Sequence, residues 1–188
     1  MENKNYTELT IDWAEGKGLN KPSMLPGQLL KTIEEITEIG EAVTEFDRID
    51  AIGDSRVTLI ITGHQVGIKT AVGFPRTILG IMSARALSKA RLDLLETVGR
   101  IGGVIGRLSL EEADKVGFPP HVVDEIEENL YQANGLLEAI AHYFELNVDD
   151  CLGVAYDVIS GRKGLTIDGI FVKYEDLSPE NKAIVDAQ

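Results

Sequence analysis

The residues best suited to chemistry are acids on two neighbouring predicted helices. In Lys31-Thr32-Ile33-Glu34-Glu35-Ile36-Thr37-Glu38, offsets of four and three put Lys31, Glu35 and Glu38 on one helical face. Like charges at that spacing destabilise an isolated helix by roughly a few tenths of a kcal/mol. A cation shared by Glu35 and Glu38 would relieve that cost; a solvated acidic face continued by Glu41 and Glu45 is the plainer alternative. Further on, Asp50 and Asp54 lie four apart, and their face continues through Val57 and Ile61 into expected core, which turns these acids inward. Carboxylates withdrawn from water need hydrogen bonds, cations or a metal. Equally, Asp50 can cap its helix and Asp54 can sit in the field of the N-terminal dipole. Four carboxylates from two adjacent helices, with no His or Cys set at zinc-like spacing, suit Mg²⁺ or Mn²⁺. Such an ion would neutralise phosphate oxygens and orient a water for in-line attack, while a carboxylate takes the proton.

Helical elements must position these groups. Glu8 to Gly16 reads as a short helix with Trp13 near its end, closed by the break from Gly18 to Pro22. Pro26 suits a first helical position. From Gly27 to about Phe46, Leu29, Ile33, Ile36 and Val43 recur at helical spacing, and Asp50 to about Val66 repeats the pattern with Val57, Ile60 and Ile61. Gly73-Phe74-Pro75 breaks it, and Thr77 to Gly99 carries Ile78, Ile81, Met82, Leu87, Leu92 and Leu95 in helical register. Ser109 with Glu112 forms a capping-box pattern, Pro119-Pro120 precedes an amphipathic stretch from Val122 to about Phe144, and Asn147 offers an N-cap for Val148 to Ser160. After Gly161, Asp168-Gly169 stands between two short β-prone runs from Leu165 to Val172 and predicts a small hairpin. The tail from Glu175 to Gln188 is a helix or frayed. The class expected is all-α with a small C-terminal β-hairpin.

Bulk properties narrow the partners. With 188 residues and 44% hydrophobic content, the chain can bury a core as one domain spanning 1–188. Against 31 Asp plus Glu stand 18 Lys plus Arg, a net charge of −13, so there is no overall basic field for a polynucleotide backbone. The longest apolar runs, around Val57 to Ile61 and Ile78 to Met82, fall short of the roughly 20 residues that span a bilayer, and no membrane role is expected. The single cysteine, Cys151, cannot form an internal disulfide, and no leader-like pattern opens the chain, so a cytoplasmic setting is expected. Cys151 reads as a small core residue. His64, His121 and His142 are scattered. Gly99, Gly102, Gly103 and Gly106 follow a helix and lack the Lys-Ser/Thr ending of a phosphate loop, which favours close helix packing or a bend.

Trp13-Ala14-Glu15, then Gln28-x-x-Lys31-x-x-Glu34-Glu35-x-x-Glu38, then Ile52-Gly53-Asp54 together resemble the MazG-like nucleoside triphosphate pyrophosphohydrolases in order and spacing. Ala155-Tyr156-Asp157, Ser160-Gly161-Arg162-Lys163-Gly164 and Gly169-Ile170-Phe171-Val172-Lys173 look like the closing segment of short, phage-type members. The resemblance covers roughly residues 13–66 and 147–176; about 67–146 is an insertion of further helices that extends a dimer interface, lids the pocket or binds another protein.

The resemblance implies a MazG-like helical bundle, forming a homodimer or homotetramer, that uses Mg²⁺ to cut a nucleoside triphosphate into monophosphate and pyrophosphate. In that family a Glu-x-x-Glu pair and a Glu-x-x-Asp pair hold the metal, which maps onto Glu35, Glu38 and Asp54. Ala51 stands where the family commonly has glutamate; Asp50, Glu34 or water is left to complete the shell. Glu34 or Glu38 is then the proton acceptor, Lys31 positions a carboxylate or phosphate, and Arg162 or Lys163 steadies the leaving group. For Arg162 and Lys163 a helix C-terminus answering its own dipole is the alternative. Asp157 falls where the family often carries a polar side chain directed at the nucleotide, with an ordinary exposed acid as the equal alternative, and Trp13 is either core or a base-stacking surface. Removal of unwanted nucleotides is the implied biology. A non-catalytic helical module that binds a nucleotide or a protein partner is the rival, supported by Ala51.

Overall fold

A computed structural model describes residues 4–68 and 83–187. Among them the chain is mostly helical, with one two-stranded antiparallel hairpin near its C-terminal end. Helix α1 (Tyr6–Gly16) starts where the Asn5 side chain accepts from the Glu8 N–H. A 3-10 turn (Pro22–Met24) leads into α2 (Leu25–Glu41), with Pro26 in its first turn. Leu25, Leu29, Ile36 and Ile39 form the buried stripe of α2.

The α2–α3 junction differs from expectation. Ala42 leaves the helix at φ −60°, ψ 118°, and α3 (Glu45–Gln65) opens on a capping box at Thr44. Thr44 Oγ1 accepts from the Asp47 N–H at 3.1 Å, and Asp47 Oδ2 accepts from the Thr44 N–H at 2.9 Å. Phe46 therefore belongs to α3, and Asp50 lies inside that helix, leaving the capping role to Thr44. This arrangement satisfies two orphan amide donors reciprocally.

Helix α3 is the central element, packed by α1, α2, α6 and α7, which is why almost all of Ala51 to Thr62 is buried. After the expected insertion boundary come α4 (Ala84–Ile105), α5 (Leu110–Val116) and α6 (Pro120–Tyr143). The expected break at Gly73-Phe74-Pro75, and Ile78, Ile81 and Met82 of the expected fourth helix, lie outside the described residues. Helix α4 runs on past Gly99 through Gly102 and Gly103 to a cap at Gly106, so these glycines form no loop. Ser109 caps α5 by accepting from the Glu112 N–H.

Asn147 accepts from the amides of Asp149 and Asp150 and opens α7 (Val148–Ser160) at the expected residues. Strands β1 (Gly164–Ile167) and β2 (Ile170–Lys173) pair antiparallel, Ile167 opposite Ile170. Asp168 at φ 49° and Gly169 at φ 82° make the turn, the left-handed pair that matches strand twist in a tight hairpin. A 3-10 turn (Tyr174–Asp176) and α8 (Pro179–Asp186), capped by Ser178, follow.

The main core joins α2, α3, α4 and α6, while a second cluster forms where α1, α3, α7 and the hairpin meet. Cys151 is buried in the main core. No helix among the described residues is long and apolar enough to cross a membrane.

Candidate active site

The three-residue α2–α3 connection reverses the chain, and matched side chains fix the register between the two helices. On α2 the stripe Gln28, Lys31, Glu35 and Glu38 advances by three, four and three residues. On α3 the stripe Asp50, Asp54 and Thr58 advances by fours. All seven side chains line one cavity of about 440 Å³. Gln28 meets Thr58 at one end, and the charges of Glu35 and Asp54 act on each other nearer the other.

Glu35 is only 4% exposed, and its charge is balanced within its own helix. Lys31 Nζ lies 2.8 Å from Glu35 Oε1 and 2.8 Å from Glu34 Oε1. Burial alone would lower the Lys31 pKa, but hydrogen bonds to the two carboxylates outweigh it and leave the ammonium form strengthened. Glu38 stands above the usual carboxylate range, first through desolvation and then through repulsion from Glu35.

Asp54 is the most perturbed acid of the site. Burial, followed by repulsion from Glu35, pushes its carboxyl up to about 7, while Arg162 and Lys31 pull it back in part. Its Oδ1 is buried with no hydrogen-bond partner, and Oδ2 lies 4.0 Å from Arg162 Nη2. Arg162 is delivered by the end of α7, where its N–H donates to the Ile159 carbonyl at 2.9 Å. The α3–α7 approach depends on Gly53, the neighbour of Asp54: a Cβ there would stand 2.4 Å from the Cys151 carbonyl oxygen and 2.8 Å from Ala155 Cβ.

The acids fit a hard divalent cation in chemistry, and the orphaned Oδ1 of Asp54 is a buried donor atom for one. Among the described residues no three His, Cys, Asp or Glu side chains already stand close enough to hold an ion. Ala51 is 3% exposed and packed in the main core; Asp50, one residue earlier, lines the cavity and adds its charge to that felt by Asp54.

The opposite end of the cavity is apolar and aromatic. Trp13 meets Phe171 edge-on, centroids 5.4 Å apart at 68°, and Lys17 Nζ lies 5.4 Å from the Phe171 centroid. The Trp13 Nε1 is buried without a partner. Val57, Ile61 and Ile159 supply the floor from the second cluster. The hairpin forms a wall because it is seated twice. A Cβ on Gly169 would stand 3.0 Å from Met24 Cα, and Thr166 Oγ1 donates to the Lys17 carbonyl at 2.6 Å.

Of the residues singled out from sequence, Trp13, Lys31, Glu34, Glu35, Glu38, Asp50, Asp54 and Arg162 line this cavity. Asp157 and Lys163 do not: both are exposed, and the Lys163 carbonyl is engaged by the Tyr174 N–H. Sequence reasoning gave no role to Gln28, Thr58, Phe171, Lys173 or Asp176, all of which line the cavity. Gln28, Phe171 and Lys173 sit inside the motifs that carried the family resemblance, whereas nothing local marks Thr58 or Asp176. No protein-family model, curated protein or solved structure matches this chain.

Proposed function

We propose that the protein is a Mg²⁺-dependent pyrophosphohydrolase that cuts nucleoside triphosphates between the α and β phosphates, giving the monophosphate and pyrophosphate. The observation that carries this reading is the gathering of Glu35, Glu38, Asp50 and Asp54 in one cavity, with Asp54 held near neutrality by burial and one of its oxygens unpartnered. Groups whose titration is displaced by burial beside specific charges concentrate at functional sites. The mixture of acids, cations and aromatic surface in one cavity suits a metal, a polyphosphate and a base respectively.

In this reading Glu35, Glu38 and Asp54 hold the ion, with Asp50 in the place that Ala51 leaves vacant. A bound Mg²⁺ supplies positive charge that neutralises phosphate oxygens and favours attack by water. Glu34 or Glu38 takes the proton of the attacking water at its carboxylate. Lys31 relinquishes part of its contact with Glu35 and turns to phosphate. Arg162 offers a planar fork suited to phosphate oxygens. Trp13 gives the base an apolar face. A MazG-like bundle, removal of unwanted nucleotides and assembly as a homodimer or homotetramer belong to the same proposal.

The test is pyrophosphate release across common and damaged triphosphates, with Glu38→Gln as control. Release that depends on Mg²⁺ and falls at least about a hundredfold in the variant is expected; activity unchanged in Glu38→Gln would remove the ligand assignment. One observation favours a second reading, a non-catalytic module binding a nucleotide or a protein: among the described residues no three candidate ligands are already convergent. Thermal melting separates the hydrolase from a protein-binding module, since ligand binding to the native state raises the midpoint, and a rise without pyrophosphate release marks a nucleotide-binding module. No rise with Mg²⁺ and a triphosphate favours the protein-binding module.

A further inference from the structure

Gln28 is 5% exposed and lies on the cavity stripe of α2. Its Nε2 donates to the Thr58 carbonyl at 3.3 Å. A carbonyl only accepts, so the amide cannot be turned over, and its oxygen must occupy the other position. Among the described residues none donates to Oε1, and this atom is not one of the fully enclosed unpartnered atoms; it belongs to a side chain that lines the cavity. Two nearby hydroxyls are already committed. Thr58 Oγ1 donates to the Ser55 carbonyl at 2.9 Å, and Thr32 Oγ1 to the Gln28 carbonyl at 2.9 Å.

The position of that acceptor matters. Gln28 precedes Glu35 by seven residues, which is two turns or about 10 Å along the helix. It shares the cavity with the Trp13–Phe171 pair on one side and Lys31 on the other. That separation is of the order of the span from the edge of a base to the first phosphates of a nucleotide. A nearly buried acceptor left without a donor penalises any ligand that fails to supply one, and such sites discriminate far more strongly than apolar pockets do.

On the nucleotide reading given above, we infer that Gln28 is the specificity-determining residue, its Oε1 accepting from an N–H on the edge of a nucleobase laid against Trp13 and Phe171. The ligand class is a nucleotide whose base carries a ring or exocyclic N–H at that edge. Thr58 is the positioning residue, since its carbonyl fixes which way the amide faces.

The chain contains a single tryptophan, so quenching of Trp13 fluorescence reports a base at this end. Nucleoside monophosphates of adenine, guanine, cytosine, uracil and thymine, with ribose 5-phosphate as the base-free control, are titrated in Mg²⁺ into the wild-type chain and Gln28→Met. One base is expected to bind the wild type roughly tenfold or more tighter than the others, and Gln28→Met to flatten that ranking while ribose 5-phosphate leaves the fluorescence unchanged. A second arm needs no variant: the preferred base N-methylated at its donor should lose about tenfold in affinity for the wild type. Equal binding of all bases, no binding of any, or an unchanged ranking in a folded Gln28→Met overturns the inference. Selective binding without pyrophosphate release from any triphosphate overturns the hydrolase and leaves Gln28 in place; release with no base preference does the reverse.

Discussion

Arg162 Nη2 stands 4.0 Å from Asp54 Oδ2, joining the end of α7 to the third turn of α3. The pair is a loose ion contact that leaves Asp54 Oδ1 unpartnered, so Asp54 is partly compensated and still free to take a second cation. Removing Arg162 takes away one of the two positive groups that restrain the rise of the Asp54 carboxyl. Arg162→Ala is expected to lower kcat/KM for a triphosphate by roughly a hundredfold, and Arg162→Lys by less because a point charge replaces a planar fork. Steady-state pyrophosphate release measures both, and equal activity of Arg162→Ala and wild type would place the phosphates elsewhere.

The Asp54 carboxyl also sets a pH dependence of stability. Its folded value of about 7 lies above the reference of 3.8, so between those pH values the folded chain binds more protons than the unfolded one. Stability from this group is therefore full below about pH 4 and is lost as pH rises through 7. The shift spans roughly three pH units at about 1.4 kcal/mol each, a ceiling of about 4 kcal/mol. Urea unfolding in chelator from pH 4 to pH 8 should show the decline, Asp54→Asn should remove most of it and leave the smaller part due to Glu38, and saturating Mg²⁺ or Mn²⁺ should flatten it. The same slope in Asp54→Asn assigns the effect to another group.

Lys31 plays the part of a built-in cation. With Lys31→Met, Glu35, 4% exposed, loses the ammonium 2.8 Å away, and the metal-free chain should lose about 1–3 kcal/mol of stability. The rise in melting temperature on adding Mg²⁺ should then exceed that of the wild type, because the ion replaces the missing charge. A smaller rise would mean that Lys31 helps to bind the ion's ligands in place.

Two glycines give opposite expectations. Gly53→Ala puts a methyl 2.4 Å from the Cys151 carbonyl oxygen, which must push α3 and α7 apart; about 1–3 kcal/mol of stability and most of the activity should be lost, since that approach aligns Asp54 with Arg162. Gly99→Ala in α4 meets nothing within 4 Å and should raise stability by about 0.5–1 kcal/mol. Denaturation midpoints compare the two, and a harmless Gly53→Ala would show that the helix contact is not rigid.

Where local chemistry decides, the sequence was sufficient. Asn147 before Val148 and the Asp168-Gly169 turn define α7 and the hairpin almost to the residue. The acids at 35, 38, 50 and 54 face one space because 3.6-residue periodicity sets faces independently of tertiary detail. The α2–α3 boundary was missed because apolar periodicity carries through Val43 and Phe46, and because the capping partner of Thr44 is an aspartate, Asp47, rather than the usual glutamate or glutamine. Helical identity continued across Gly99 to Gly103 because packing, not propensity, stabilises α4. Asp157 and Lys163 fall outside the cavity because both are exposed, the first on α7 and the second in the link before β1. Phe171, Lys173 and Asp176 enter it only through the seating of the hairpin on Met24 and Lys17, a long-range contact that no local pattern encodes.

That seating has a consequence for the order in which the molecule becomes competent. Residues 25–65 carry the acids, yet the wall that faces them is drawn from residues 169–176, more than a hundred positions later in synthesis. A ribosome-bound chain halted after α7 would own its carboxylates and the apolar floor of the cavity but not this wall, which closes the space only when the hairpin emerges and docks.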